Sequence, residues 1–222
     1  MNLLSIDTST EHASVALLFN GMTFYEEQTQ QKTHAQCLLP MIDKLMNTAN
    51  ASWPLLDAVV FGCGPGSFTG LRIACSVAKG LAYAHDLKLI PVSSLEAIIF
   101  AARQQEKARD KSVLAVLDAR MGELYWRFSA GEGDTSPEQV TKAEQISVIT
   151  KSPLIVAGVG IDSYWEQFPE SIKERTSCRL NLYPSALAMI EWVEHSKPLF
   201  ISAAQAQPIY IRNQVTQGAT GG

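Results

Sequence analysis

The feature that most constrains the fold is a pattern that occurs twice, about half the chain apart. Residues 3–19 read LLSIDTSTEHASVALLF, and residues 113–129 read VLAVLDARMGELYWRFS. Each is an apolar strand that ends in an aspartate, Asp7 or Asp118, followed by a polar turn and a second strand. The pattern is compatible with an internal duplication, and equally with two hairpins that resemble each other by chance.

Apolar periodicity predicts alternating strands and helices along the chain. In the first half it predicts strands at residues 3–6, 14–19, 22–26, 56–61 and 89–92 and helices at residues 33–47, 71–84 and 94–102. In the second half it predicts strands at residues 113–117, 123–129 and 154–157, helices at residues 161–168 and 185–195, and a polar loop at residues 131–144. The tight Asn20-Gly21 pair makes the first three strands an antiparallel meander.

A charged run at residues 103–111 separates the two halves and predicts a solvated connection. We therefore expect an N-terminal domain at residues 1–105 and a smaller C-terminal domain at residues 106–213, whose last helix packs back on the first domain. Residues 214–222 are expected to form a flexible tail.

Net charge limits the partners of this chain. The formal charge is −4 at pH 7, so the overall field opposes RNA binding unless a local basic patch exists. The clustered basic residues are Arg103, Lys107, Arg109 and Lys111. Because Glu106 and Asp110 interleave with them, a solvated surface is favoured over a tRNA-binding module.

The amino-terminal residues do not resemble a signal peptide, because Asp7 and Glu11 interrupt the candidate apolar segment. No stretch reaches about 18 apolar residues. We expect a cytoplasmic protein without membrane contact. The cysteines, which are Cys37, Cys63, Cys75 and Cys178, show no CxxC spacing, so a disulfide framework is not expected.

A glycine-rich loop, GCGPGSFTG at residues 62–70, follows the fourth predicted strand and precedes a helix. Glycines allow close backbone approach and a helix start offers N–H groups, so phosphate is one candidate ligand. The loop lacks the Gly-Lys-Ser/Thr of a Walker A motif, and its spacing is one residue too long for a dinucleotide fingerprint. The favoured interpretation is a tight turn that packs a helix against a sheet.

Arg72 lies near the start of the helix that follows this loop, where a cation faces the positive end of the helix dipole. We expect an anionic group to compensate it. A carboxylate of the same chain is the favoured partner, and a carboxylate of another protein or a phosphate is the alternative.

Two helices carry faces suited to helix packing. On the second helix, small residues recur at Gly70, Ala74, Ala78 and Ala82. On the first helix, the apolar positions are Leu38, Met41, Ile42 and Leu45. Packing within the chain is the default expectation, and a four-helix bundle formed by two molecules is the alternative.

Six segments carry a resemblance to a known family. They are IDTST at residues 6–10, THAQCLLPMI at 33–42, GPGSFTGLRIACSVAKGLA at 64–82, PVSSLEA at 91–97, LDARMGELYW at 117–126 and PIYIRN at 208–213. In these segments the chain resembles the TsaB family, also called YeaZ. That family belongs to the actin/hsp70/sugar-kinase (ASKHA) superfamily, which implies an α/β fold of two actin-like, ribonuclease H-like lobes, each a mixed sheet flanked by helices. The superfamily's lobes share a core that starts with such a hairpin, which would explain the repeat.

The resemblance also implies a function. It implies a non-catalytic scaffold that activates TsaD, the enzyme that transfers a threonylcarbamoyl group to N6 of the tRNA adenosine adjacent to the anticodon (t6A). It implies docking of the first two helices on TsaD, recruitment of the ATPase TsaE, a homodimer when the chain is alone, and only indirect contact with tRNA. The interface residues are then Leu38, Met41, Ile42, Leu45, Gly70, Leu71, Arg72, Ala74, Cys75, Ala78, Leu81 and Ala82.

The resemblance further places candidates for cofactor contact in three turns. They are Asp7, Thr8, Ser9, Asp118, Gly158 and Gly160. Hairpin turns commonly contain Asp, Ser and Thr for local hydrogen bonds, and this is the favoured interpretation. No cofactor is expected to bind the isolated chain tightly, and ATP or ADP is expected only in the assembled complex.

A metal site is not expected. TsaD carries a metal-binding His-x-x-x-His helix, and the corresponding positions here are Ser94 and Ile98. Isoleucine has no lone pair to donate, and the chain's histidines never fall within one helical turn of each other.

The alternative function is a stand-alone enzyme of the same superfamily, either an ATP-dependent phosphotransferase or a glycoprotease-like hydrolase. A phosphotransferase needs an adenosine loop richer in glycine than residues 157–160. A hydrolase needs a metal or an activated nucleophile, and Ser67 and Ser94 have no histidine nearby in sequence. Only the fold can show whether a histidine is adjacent in space.

Overall fold

The computed structural model describes residues 1–29, 33–105, 111–131 and 134–211. Within these ranges no helix is both long and apolar enough to span a membrane. The expected tail at residues 214–222 lies outside the described residues, and so do residues 106–110 of the charged run.

The elements of the described residues alternate between strands and helices. The strands are β1 (Leu3–Asp7), β2 (His12–Phe19), β3 (Met22–Thr29), β4 (Ala58–Gly64), β5 (Lys88–Ser93), β6 (Ser112–Asp118), β7 (Glu123–Gly131), β8 (Asp134–Thr135), β9 (Gln139–Lys142), β10 (Leu154–Gly158) and β11 (Thr176–Asn181). The helices are α1 (His34–Thr48), α2 (Phe68–His85), α3 (Ser94–Gln105), α4 (Ile161–Tyr164), α5 (Glu170–Lys173) and α6 (Ala186–His195).

The strands form two sheets of the same layout. The first has the order β3-β2-β1-β4-β5, and the second has the order β11-β10-β6-β7-β8, with β9 also paired to β7. In each sheet the opening hairpin is antiparallel, and its first strand pairs in parallel with a later one. The repeated hairpin is therefore the equivalent part of two lobes, and the α/β architecture of two flanked mixed sheets is confirmed.

Helices α1 and α2 cover one face of the first sheet. Thr33 precedes α1, and its backbone N–H donates to Gln36 Oε1 at 3.3 Å, while the Ser67 hydroxyl accepts from the Gly70 N–H at the start of α2. The apolar faces of both helices pack in one cluster with the side chains of β1, β2 and β4. Burial of each large aliphatic side chain there contributes about 1.5–3 kcal/mol.

Two helices cross between the lobes. The α6 residues Met189, Ile190 and Val193 pack on the opposite face of the first sheet, although α6 follows the strands of the second sheet in sequence. Conversely, the α3 residues Leu95 and Ile98 pack on the second sheet. The two helices also contact each other, so each lobe is completed by a helix from the other half of the chain.

The segment after α6 returns to the first lobe. Leu89 and Ile201 exchange backbone hydrogen bonds of 2.9 Å, which covers the edge strand β5. Further on, the Ile209 N–H donates to the Cys63 carbonyl at 2.7 Å, at the carboxyl end of β4. This segment therefore lies beside the glycine-rich loop, a position that its distance in sequence does not predict.

The second lobe differs most from the sequence prediction. The polar loop expected at residues 131–144 contains the short strands β8 and β9, and the helix expected at residues 161–168 is α4 followed by a turn of 3₁₀ helix at Trp165–Gln167. Helix α5 and strand β11 were not predicted. The alternation in β11 is weak because only Leu180 of this edge strand is buried.

Candidate functional site

The turn after β1 directs its polar groups into the protein. Asp7 is fully buried, and its Oδ1 accepts hydrogen bonds from the Ser9 backbone N–H (3.1 Å) and hydroxyl (2.8 Å). The Thr8 hydroxyl donates to the Gly70 carbonyl at 2.7 Å. Burial raises the pKa of Asp7 to about 7, although the two Ser9 hydrogen bonds lower it. Asp7, Thr8 and Ser9 are thus enclosed by contacts within the chain.

The glycine-rich loop packs directly on this turn. A Cβ at Gly66 would lie 2.3 Å from the Ser9 carbonyl oxygen, and a Cβ at Gly70 would lie 1.8 Å from that of Thr8. A Cβ at Gly62 would lie 1.9 Å from Asp7 Oδ2, a buried oxygen without a hydrogen-bond partner among the described residues. The loop and the turn are therefore in direct contact, with no room for a side chain at Gly62, Gly66 or Gly70.

The turn after β6 is more open. Asp118 is partly exposed, and its Oδ1 accepts from the Arg120 backbone N–H at 2.8 Å and the Tyr164 hydroxyl at 3.2 Å. A cavity of about 420 Å³ adjoins it, with a lining that includes Asp118, Gly160, Asp162, Arg179, Asn181 and Tyr183. The structure therefore brings Asp118 and Gly160 to one cavity.

Gly158 has a structural role at the end of β10. Its φ is +132°, and a Cβ there would lie 1.8 Å from the Val116 carbonyl oxygen. Only glycine fits this close approach of β10 to β6. Cofactor contact by Gly158 and Gly160 stays a prediction.

Most of the predicted partner face lies inside the first lobe. The buried positions are Leu38, Met41, Ile42 and Leu45 on α1 and Gly70, Leu71, Ala74, Cys75, Ala78 and Ala82 on α2, while Leu81 is partly buried. Arg72 is exposed. Because the buried side chains already fill the core of this lobe, another protein does not reach them. Packing within the chain, the default expectation, accounts for both faces.

A different face of α2 is exposed along its length. We call it the exposed stripe, and its members are Phe68, Arg72, Ser76, Gly80 and Tyr83. The aromatic residues lie at its ends, with Phe68 53% and Tyr83 87% exposed. Between them, Ser76 and Gly80 are small, and a Cβ at Gly80 would meet nothing within 4 Å. A second helix can approach α2 closely here.

Arg72 is held by aromatic rings. Its guanidinium lies 3.8 Å from the centre of the Phe68 ring, and its Nε donates to the Tyr210 hydroxyl at 3.2 Å. No carboxylate of the described residues lies within ion-pair distance of it, so the expected carboxylate partner within the chain is wrong for that part of the molecule. Among the described residues, its remaining guanidinium N–H groups have no hydrogen-bond partner.

The two α3 positions that the resemblance matched to metal ligands of TsaD lie in the core. Ser94 and Ile98 of α3 are both fully buried, and Ile98 packs on the second sheet. Among the residues that the structure describes, no three His, Cys, Asp or Glu side chains are grouped so as to hold a metal ion.

Of the exposed stripe, sequence reasoning named Arg72 and missed the other members, and it also missed the neighbouring Tyr210. Phe68, Ser76 and Gly80 follow the same four-residue spacing as the buried small residues, so the spacing was a signal for both faces. Tyr210 belongs to the PIYIRN segment of the resemblance, but nothing in the sequence indicates its contact with Arg72.

The two sheets are equivalent: each opens with a hairpin whose first strand ends in an aspartate, and each is flanked by a helix from the other half of the chain. This architecture defines a two-lobed, actin-like protein of the ASKHA class. Solved structures agree. The chain superposes on YeaZ from Pseudomonas aeruginosa with a TM-score of 0.82 and 34% identity, over 94% of this chain and 99% of that one. A second Pseudomonas aeruginosa structure, described as an uncharacterized protein with similarity to peptidase YeaZ, gives a TM-score of 0.84 with 33% identity, over 95% and 99% of the two chains.

Sequence relatives give the particular family. The tRNA threonylcarbamoyladenosine biosynthesis protein TsaB of Haemophilus influenzae is 38% identical over 97% of this chain and 95% of its own length. TsaB of Escherichia coli is 32% identical over 97% of this chain and 96% of its own. A family model described as TsaD, tRNA N6-adenosine threonylcarbamoyltransferase, matches residues 26–191. The chain belongs to the TsaB family, and the resemblance seen in its sequence is confirmed.

Proposed function

We propose that this chain is a non-catalytic scaffold in the biosynthesis of threonylcarbamoyladenosine in tRNA. In this role it binds TsaD through the first lobe and holds that enzyme in a competent arrangement, and the pair recruits TsaE. The relatives named TsaB support the pathway. The match of this chain to the TsaD family model is consistent with a partner of the same fold.

The observation that carries the proposal is the exposed stripe of α2. It combines large aromatic side chains and an arginine at the ends with small residues between them, a composition common in binding hot spots and close helix contacts. Since α1 and α2 pack their apolar faces on their own sheet, the stripe is the part of α2 that remains for a partner.

The placement of candidate nucleophiles and bases favours a scaffold over a hydrolase. Ser67 caps α2 through its hydroxyl, and Ser94 is buried. The histidines of the chain contact other groups: His12 stacks on Tyr183, His34 lies near the Glu11 carbonyl, His85 stacks on Trp53, and His195 contacts Phe100. An activated serine requires a histidine within hydrogen-bond reach, and among the described residues no histidine nitrogen bonds to Ser67 or Ser94.

The proposed scaffold role also carries expectations about nucleotide, tRNA and self-association. We expect ATP or ADP to bind in the assembled complex rather than tightly to the isolated chain. Contact with tRNA is indirect, consistent with a net charge of −4. In the absence of TsaD, the stripe pairs with that of a second copy in a homodimer, which TsaD displaces.

Replacing Gly80 by arginine tests the docking face directly. Because open space surrounds this position, the fold accommodates the side chain, while a partner helix does not. The Gly80→Arg variant is expected to bind purified TsaD at least tenfold more weakly by calorimetry, with an unchanged circular dichroism spectrum. Tyr83→Ala is expected to weaken binding by a similar factor, since the removed ring is exposed.

The matched control is Gly131→Arg, the same substitution at a second-lobe glycine that also has open space around it. It is expected to leave TsaD binding unchanged. Wild-type affinity of the Gly80→Arg variant would show that α2 is not the docking element.

A further inference from the structure

A cluster of charged side chains lies between the lobes, away from the exposed stripe. Arg127 of β7 lies between two carboxylates, with its Nη1 at 2.9 Å from Glu96 Oε2 and 3.6 Å from Glu138 Oε1. The three side chains are only 17–21% exposed. Two further donors of the guanidinium bond within the second lobe, Nε to the Ser136 carbonyl at 3.1 Å and Nη2 to the Thr135 hydroxyl at 2.8 Å. Arg127 is therefore fixed in one orientation.

The two carboxylates reach elements of the first lobe. The Ser93 hydroxyl, at the end of β5, donates to Glu138 and accepts from the N–H groups of Leu95 and Glu96 at the start of α3. Glu96 Oε1 accepts from Trp192 Nε1 of α6 at 3.3 Å. The cluster thus connects the last strand of the first sheet, both crossing helices and the hairpin of the second sheet.

The arrangement depends on the single positive charge. Burial raises the pKa of Glu138, and the Ser93 hydrogen bond and the charge of Arg127 oppose that rise, while Glu96 adds to it. Without Arg127, two partly buried carboxylates would face each other from opposite lobes. Like charges repel strongly in such a low-dielectric setting.

We propose that Glu96, Arg127 and Glu138 form an internal clamp that holds the two lobes in one closed arrangement. The clamp joins the two lobes through the chain's own side chains, by the ion pairs of Arg127 and the hydrogen bonds of Glu138 and Glu96. Its removal opens the region between the lobes without unfolding either sheet. The clamp is independent of the proposed docking face, which lies on α2.

Removal of the positive charge makes the clamp testable. In Arg127→Met, the shape of the stem remains but the carboxylates repel each other, so the lobes are expected to separate. Amide hydrogen exchange in peptides covering residues 88–98 and 123–140 is expected to accelerate at least tenfold, while peptides from β1 and β2 keep wild-type rates. The radius of gyration from small-angle X-ray scattering is expected to increase.

The double variant Arg127→Met/Glu138→Gln distinguishes a clamp from a structural ion pair. Glu138→Gln alone removes an attraction and is expected to accelerate exchange modestly. In the Arg127→Met background the same change removes a repulsion, so it is expected to slow exchange towards the wild-type rate. Lys173→Met is the matched control, because Lys173 is as buried as Arg127 but pairs with Glu166 and Glu170 within the second lobe.

Three results would overturn the clamp. One is a wild-type exchange pattern in Arg127→Met, and another is faster exchange in the double variant than in Arg127→Met. If Arg127→Met does not fold, recovery of folding in the double variant supports the clamp, and failure of both variants to fold contradicts it. TsaD binding by the folded variants is also measured by calorimetry, so that a failure of the clamp and a failure of the docking proposal can be distinguished.

Discussion

The turns after β1 and β6 occupy equivalent positions in the two lobes, yet they are built differently. Asp7 is fully buried, and the glycine-rich loop packs on its turn with no room for another atom at Gly70. Asp118 is partly exposed and lies beside a cavity of about 420 Å³. The two turns occupy equivalent positions but are not equivalent sites. The turn of the first lobe packs against the glycine-rich loop, whereas the turn of the second lobe borders a cavity.

The largest expected effect concerns the buried carboxylate of the first turn. Because the pKa of Asp7 rises from 3.8 to about 7 on folding, the native state holds this proton more tightly than the unfolded state. Ionisation of Asp7 therefore costs stability progressively as the pH rises from about 4 to about 7, on the order of 4 kcal/mol in total. Asp7→Asn is expected to remove this part of the pH dependence.

The measurement is urea unfolding at several pH values between 4 and 8. The Asp7→Asn variant gains stability relative to wild type as the pH rises to 7, and the difference stays constant above it. Equal slopes of unfolding free energy against pH in both proteins would show that folding does not raise the pKa of Asp7.

The next effect tests how tightly the first turn is closed. A methyl group at Gly70 would overlap the Thr8 carbonyl oxygen, whereas one at Gly80 of the same helix meets nothing within 4 Å. Gly70→Ala is expected to destabilise the protein by about 3 kcal/mol. Gly80→Ala is expected to stabilise it by about 0.5–1 kcal/mol, because alanine is the better helix former. Melting temperatures that change in the same direction would contradict the packing described.

The smallest effect concerns the open turn. The side chain of Arg120 is 82% exposed, and its guanidinium lies 3.4 Å from Asp118. Exposed pairs of this kind contribute about 0–1 kcal/mol, so Arg120→Ala is expected to change the unfolding free energy by less than about 0.5 kcal/mol. A loss of unfolding free energy as large as that of Gly70→Ala would mean that the side-chain contacts of the second turn contribute as much to stability as the packing of the first.

Local patterns in the sequence predicted much of the fold. The strands that end in Asp7 and Asp118 were predicted from continuous apolar runs, because these strands are buried on both faces. Helices α1 and α2 were predicted because one face of each is buried. The edge strand β11 was missed since its alternation is mostly between exposed and half-buried positions.

The candidate site was harder to predict, because contacts between distant segments determine it. Helix α2 has small residues on two faces, Ala74 and Ala78 on one and Ser76 and Gly80 on the other. The sequence does not show which of these faces the sheet covers. The contact of Arg72 with Tyr210 and the clamp at Arg127 join residues far apart in the chain. Spacing within one element carries no information about either.

The central claim is that this chain acts through its partner and not by its own chemistry. The most direct measurement is mass spectrometry of N6-threonylcarbamoyladenosine in unmodified tRNA incubated with threonylcarbamoyl adenylate and either the purified chain alone or the chain with TsaD and TsaE. The account predicts no modified nucleoside with the chain alone and modification with the complete set, reduced when the chain carries Gly80→Arg. Modification by the chain alone would contradict the account.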